Sequence, residues 1–328
     1  LQTRLAGSVV TVASGHDALL LALQALKLSS TDEVIFPVNA YPTVFPVVLS
    51  GAKAVPVDVD QNGQLDPEKL EQALTKRTKA VIVVHLYGLV GDLGRITQIC
   101  RAHNLFLIED CAQAFGSTYR GKPVGTIGDI GCFSFYPTKN LGALGDGGAI
   151  RTSRKQWYEF FLAAKAYGEK TRYQSEFVSG HSRLPELEAA GLNVYLGYVD
   201  GESARRRRVW DWYNDALKNA RLDRVVRLFV SHKHSRAVAH LLVMEVSKRD
   251  GLRAYLRKRG IETLIHYPKP VHLVPAFRFL GYKKGQFPVA ERLAGNIISL
   301  PFHPYLTRRD IATVVQCIGD FFHGKKNH

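Results

Sequence analysis

Cysteine and methionine are scarce in this chain of 328 residues, which carries four of the first, at 100, 111, 132 and 317, and one of the second. Four thiols in so long a chain are too few for a disulfide framework, and their spacing matches no zinc motif. A reducing, cytoplasmic setting without a metal centre is the expectation. No stretch reaches the roughly 18 uninterrupted apolar residues that a membrane span needs, so a helical membrane protein is excluded. Also missing are a basic and apolar leader, a G-x-G-x-x-G after a strand and a G-x-S-x-G elbow, which leaves dinucleotide and serine-hydrolase chemistry without an anchor. The run from Gly116 to Lys122 imitates a phosphate loop. Pro123 then stands where a hydroxyl must hold magnesium, and 118–122 reads as a strand and turn.

What is present suits a globular protein with a sizeable core. The chain is 46% apolar and 22% charged, close to ordinary usage. Its 44 Lys and Arg against 29 Asp and Glu leave a net charge of +15, a field that favours anionic partners. The basic residues are spread along the chain, densest at Arg205 to Arg208, with no RNA-binding aromatic motif and no low-complexity tail. Neither nucleic acid nor a membrane is expected as a partner.

Short β-branched runs at 34–38, 54–59, 80–86, 105–109, 131–136 and 148–152 alternate with helical patterns at 16–28, 67–75 and 93–103. That rhythm predicts an α/β fold with a mostly parallel sheet flanked by helices. Residues 187–217 read as one long connecting helix. Beyond it a strand at 241–246, a helix at 249–259, a strand at 262–266 and a helix at 307–322 suffice for a smaller α+β unit. The expected division is 1–215 and 216–328. Open α/β sheets bind ligands beyond the carboxyl ends of their strands, so the site should lie there.

Four features converge on such a site. The apolar strand at 105–110 ends in two carboxylates, Glu109 and Asp110, and a buried acid needs a cation or hydrogen-bond donors. A second apolar strand runs from Ser134 into a turn bearing one lysine, Lys139. The glycine-rich run 142–148 lets backbone approach a ligand closely. Ser14-Gly15-His16-Asp17 opens an apolar helix whose free N–H groups suit a phosphate. Each feature alone has an ordinary structural explanation: a solvated acid, a solvated lysine, a flexible loop or a helix cap.

Together they resemble the fold-type I pyridoxal-phosphate enzymes and, within them, the DegT/DnrJ/EryC1/StrS-type sugar aminotransferases. The likeness covers nearly the whole chain and is most specific in Gly131-Cys-Phe-Ser-Phe-Tyr-Pro-Thr-Lys-Asn-Leu-Gly-Ala-Leu-Gly-Asp-Gly-Gly148, with Glu109-Asp-Cys-Ala-Gln-Ala-Phe-Gly116 and Ile265-His-Tyr-Pro268 beside it. The resemblance implies pyridoxal 5'-phosphate held as an imine on Lys139, which also shuttles the proton, and Asp110 paired with the pyridine nitrogen. It further implies Tyr41 stacked on the cofactor, Gln113 near the ring hydroxyl, and Gly15, His16 and Ser134 at the phosphate. His181 and Arg183 would reach across a homodimer to the partner's cofactor. His266, Tyr267 and His272 would meet the substrate. An N-terminal helical segment usual in the family would precede residue 1.

Several positions depart from the family pattern. Histidine stands at 16 and 181 where threonine and asparagine are usual, Glu188 replaces a glutamine, and Ala166 replaces an asparagine. Lysine at 139 argues for transamination over dehydration, since the sugar dehydratases of this fold carry histidine there. The expected reaction moves an amino group from an amino acid, L-glutamate, to a nucleotide-diphosphate keto-deoxysugar, with carbon 3 suggested by His266-Tyr-Pro and His272. A cyclitol aminotransferase and a non-catalytic, cofactor-binding homologue are the alternatives.

Overall fold

The β-branched runs pair into one central sheet in the computed structural model, which describes residues 1–324; the last four residues of the expected 216–328 unit lie outside that span. Its strands are β1 (Ser8–Val12), β2 (Glu33–Pro37), β3 (Lys53–Val57), β4 (Thr78–Val84), β5 (Phe106–Asp110), β6 (Ile130–Ser134) and β7 (Gly148–Thr152), in the order β1-β7-β6-β5-β4-β2-β3. All neighbours from β3 to β6 are parallel, and β7 runs antiparallel to both β6 and β1. Helices cover both faces, so the strands are mostly apolar, and all five residues of β2 are buried, Glu33 at its start included. β1 is an addition to the strands expected from sequence. It is a half-exposed edge strand with only five residues of signal.

The flanking helices are α1 (Gly15–Ala25), α2 (Tyr41–Leu49), α3 (Pro67–Ala73), α4 (Leu93–Ala102) and α5 (Lys155–Ala164). One apolar layer, with α1, α2 and α5, packs Leu23, Val44 and Phe161 on one face, and another, with α4, packs Ile96 and Ile99 on the other. α2 was hidden by its prolines. Pro42 sits in its first turn, where a missing N–H costs nothing, and Pro46 inside it interrupts the sequence pattern.

The expected connector at 187–217 is two helices, α6 (Glu186–Leu196) and α7 (Val199–Asn219), separated at Gly197 and Tyr198. α7 crosses residue 215 without a break and sends Val209, Tyr213 and Leu217 into a third core. That core lies beneath a second sheet of β8 (Val226–Leu228), β9 (Leu242–Val246) and β10 (Ile297–Leu300), with α8 (Arg249–Arg257) and α10 (Arg308–His323), while α9 (Pro288–Asn296) sends Ala290 and Leu293 into the first apolar layer. The strand expected at 262–266 is not formed. Leu264 makes one isolated bridge to Ser299, and the sheet position beside β9 belongs to β10. α10 starts where predicted, with Thr307 and Asp310 forming a capping box. Among the described residues no helix is long and apolar enough to cross a membrane.

Candidate active site

Strands β4, β5 and β6 end at the same level, and the first turns of α1 and α2 close over them. The cavity they form has a volume of about 260 Å³. Eight of the residues expected at the site line it: Gly15, His16, Tyr41, Asp110, Gln113, Ser134, Lys139 and Tyr267. Leu19, Phe45, Val84 and Leu86 supply apolar walls. Two wider clefts, of about 680 and 580 Å³, flank α4 and share no residue with this cavity.

The two carboxylates at the end of β5 have opposite environments, because successive side chains of a strand face opposite sides. Glu109 Oε1 accepts the N–H groups of Ile127 and Gly128 at 2.7 and 2.6 Å. Its Oε2 accepts the N–H of Gly125 at 2.8 Å and is paired with His85 Nε2 at 3.0 Å. Burial pushes its pKa up, but His85 and the backbone N–H donors outweigh burial and hold it below the usual carboxylate range. Asp110 faces the cavity. Its Oδ2 accepts the Thr43 hydroxyl at 2.8 Å and its Oδ1 the Ala112 N–H at 3.1 Å. Here burial prevails over those donors and over the charge of Lys139, and the carboxyl is raised. A cation placed against Asp110 would favour its charged form.

Lys139 sits in the turn after β6, its own N–H bonded to the Tyr136 carbonyl at 2.8 Å. Burial depresses its amine below the ordinary lysine value, partly opposed by Asp110. A depressed amine has more of the neutral form that can attack a carbonyl or take a proton. Gln113 Oε1 accepts the Tyr87 N–H at 2.6 Å. Tyr267 lies with its ring 5.9 Å from that of Tyr41, and burial, with Asp110, pushes its phenol up to about 12 against the Gln113 hydrogen bond.

α1 meets β6 without a side chain between them. A Cβ on Gly15 would stand 2.6 Å from Ser134 Cβ, and one on Gly148 would stand 2.4 Å from the Ser14 carbonyl oxygen. Both glycines are therefore required for the close approach that brings the first turn of α1 beside Ser134. Ser14 caps that helix by accepting the Asp17 N–H at 3.1 Å. Glu188 Oε2 accepts the Gly145 N–H at 2.9 Å, so the residue that departs from the family pattern ties α6 to the glycine-rich run.

Other expected residues lie elsewhere. His181 and Arg183 are exposed and do not line the cavity. Ser182 between them is buried and pinned to the start of α1, donating to Asp17 Oδ2 at 2.6 Å and accepting the Ala13 N–H at 3.0 Å. His266 is half-buried, with Nδ1 2.9 Å from Ser299 Oγ and its carbonyl accepting from the Tyr87 hydroxyl. His272 does not line the cavity. Its ring is buried, 4.7 Å from that of Phe287, and its Nε2 is 3.0 Å from Glu291 Oε1, so it ties its segment to α9. Thr43 is not among the residues the sequence points to, because the prolines of α2 obscure the helix that carries it. Its only signal was the polar residue following Tyr41-Pro42.

Residues 4–319 match the DegT/DnrJ/EryC1/StrS aminotransferase family. The chain belongs to that family. One relative is the erythromycin biosynthesis sensory transduction protein EryC1 of Saccharopolyspora erythraea, 44% identical over 302 residues that make up 91% of this chain and 81% of that one. Another is the dTDP-3-amino-3,6-dideoxy-alpha-D-galactopyranose transaminase of Aneurinibacillus thermoaerophilus, 40% identical over 95% of this chain and 85% of that one. Among solved structures, S. venezuelae DesV in complex with a ketimine intermediate superposes with a TM-score of 0.92 at 37% identity, covering 98% of this chain and 85% of that one. In this member of the DegT/DnrJ/EryC1/StrS family the fold-type I architecture is thus intact, and the cavity at the strand ends holds both the lysine and the carboxylate.

Proposed function

We propose that this chain is a pyridoxal 5'-phosphate-dependent aminotransferase that moves an amino group from L-glutamate to carbon 3 of a keto-deoxysugar carried on a nucleoside diphosphate. The observation that carries this reading is the shared cavity of Lys139, with its depressed amine, and Asp110, a buried carboxyl lacking a full counter-charge. That donor set fits the cofactor, whose pyridine nitrogen would supply the cation that Asp110 lacks. Pyridoxal phosphate, when bound, supplies the electron sink for labilising the donor's α proton.

The chain's own residues do the rest. Lys139 Nζ would hold the cofactor covalently and, as a free amine, would take the donor's α proton and return it. Asp110, braced by Thr43 and Ala112, would keep its charge beside the ring nitrogen. Gly15, His16 and Ser134 would hold the phosphate at the start of α1, where the unpaired N–H groups and helix dipole favour an anion. Tyr41 offers a ring face and Gln113 an amide N–H beside it. His266 and Tyr267 border the side left for the sugar, and His272 positions their segment through Glu291. His181 and Arg183, exposed in one protomer and held by Ser182 beside α1, suit a homodimer in which each reaches the partner's site. The net charge of +15 favours a diphosphate substrate.

The test is the absorbance spectrum of purified protein with cofactor, before and after L-glutamate, followed by borohydride reduction and peptide mass spectrometry. Reduction should fix the cofactor on Lys139, and L-glutamate should shift the spectrum. Lys139→Ala should keep at most noncovalent cofactor and lose transamination. Full turnover by that variant would refute the mechanism.

A further inference from the structure

Lys139 is followed by a residue that faces the core. Asn140 is buried, and its side-chain Oδ1 lies 3.0 Å from Nδ1 of His240, a residue with no expected role in the site. Its Nδ2 is also buried and has no hydrogen-bond partner among the described residues, so the Oδ1 contact is the side chain's anchor. His240 is held in turn. Its backbone N–H donates to the Tyr87 carbonyl at 2.9 Å, and its own carbonyl accepts from Arg206 at 3.4 Å. Gly88, at φ +80°, permits this approach, since a Cβ there would stand 2.8 Å from the His240 nitrogen.

Three distant parts of the chain therefore meet at this residue: the segment after β4 on its backbone N–H, the lysine turn after β6 on its ring, and the entry to β9 of the second sheet, to which it belongs. Tyr87 extends the connection to the cavity, its N–H on Gln113 and its hydroxyl on the His266 carbonyl. Burial, then the neighbouring cationic groups Lys139, Arg206 and His266, push the His240 pKa well below the ordinary histidine value. The ring is neutral, so the Nδ1 proton donated to Asn140 defines one tautomer, with Nε2 left as an acceptor.

We propose that His240 is a positioning residue for Lys139: through Asn140 it fixes the turn that carries the lysine and couples that turn to the second sheet. This rests on Lys139 as the reacting amine. A ring that merely filled space would hold the core together without setting the amine's surroundings, and the two roles separate in the lysine itself.

The experiment measures the pH dependence of Lys139 acetylation by trace acetic anhydride, read by peptide mass spectrometry on the full chain freed of cofactor, with melting curves confirming that each variant folds. His240→Leu should raise the Lys139 midpoint by about half a pH unit or more, roughly a threefold loss of reactivity at fixed pH, because the freed turn exposes the amine to water. His240→Gln, which keeps an N–H donor, should reverse most of that shift. Asn140→Ala should match His240→Leu, and the double variant should shift no further than either single one, as two residues acting through one bond require. Asn140→Ala leaves the ring in place and carries the test should His240→Leu fail to fold. An unchanged midpoint, additive single effects, or a Gln variant no better than Leu would overturn the proposal. Labelling needs neither cofactor nor substrate. A failed aminotransferase assignment would instead appear as absence of cofactor on Lys139 after reduction, with the labelling shift intact.

Discussion

Asp110 places function and stability in opposition. Its folded-state pKa is raised by burial, so in cofactor-free protein its ionised form costs stability at neutral pH, and that cost falls away as pH drops through the raised value and the group protonates. Asp110→Asn is close to isosteric, can still accept the Ala112 N–H, and can donate to the Thr43 hydroxyl. Cofactor-free Asp110→Asn should therefore melt higher than wild type at neutral pH, by on the order of 1 kcal/mol, with the gap closing in acid. The same variant should lose several orders of magnitude in transamination rate, about 4 kcal/mol of barrier or more, because an amide cannot hold a proton on the ring nitrogen. Calorimetry over pH and single-turnover kinetics test the two halves. Near-normal rates would remove the charge role from Asp110.

At the scale of elements, the end of β5 does two jobs because a strand alternates its faces. Glu109 closes the 125–128 loop with three N–H donors while Asp110 serves the cavity. The depressed pKa of Glu109 has the opposite sign in the linkage: its contribution is present above the unfolded carboxylate pKa and is lost as pH falls through the folded value. Glu109→Gln should cost about 3 kcal/mol or more at neutral pH, since it removes the charge from a fully buried, donor-rich site. Its melting temperature should also respond less to acid than that of wild type. Parallel acid profiles in the two proteins would show that Glu109 is not the ionised anchor. α2 teaches a related lesson. Its prolines masked it, and with it Thr43, the hydroxyl that braces Asp110.

At the scale of the molecule, the expected exchange of His181 and Arg183 between protomers can be tested by subunit mixing. Lys139→Ala and Arg183→Ala should each be inactive or severely impaired alone. If Arg183 serves the partner's site, a refolded equimolar mixture contains heterodimers with one complete site, and activity should recover to roughly a quarter of wild type. If Arg183 acts within its own chain, every site in the mixture lacks one group and no recovery occurs.

The α/β rhythm, most strand positions and the residues converging on the cavity are legible in the amino-acid order alone. Parallel strands buried on both faces leave β-branched runs, and glycine-rich turns at their ends are required by close backbone approach at Gly15 and Gly148. The family resemblance added the roles expected of Lys139, Asp110 and Gln113. What depends on partners far along the chain emerges only in the folded molecule. The split between Glu109 and Asp110 arises from which loop or helix each meets, and two adjacent acids in a sequence carry no sign of it. His272 is bonded to Glu291 and Asn140 to His240 across 19 and 100 residues of chain, contacts that no local periodicity encodes. The same holds for the unformed strand at 262–266. Leu264 reaches the open edge of β10 and exchanges backbone hydrogen bonds with Ser299 at 3.1 and 2.8 Å, yet the pairing stops at that one bridge, an extent fixed by how the segment lies against β10 and not by its own pattern.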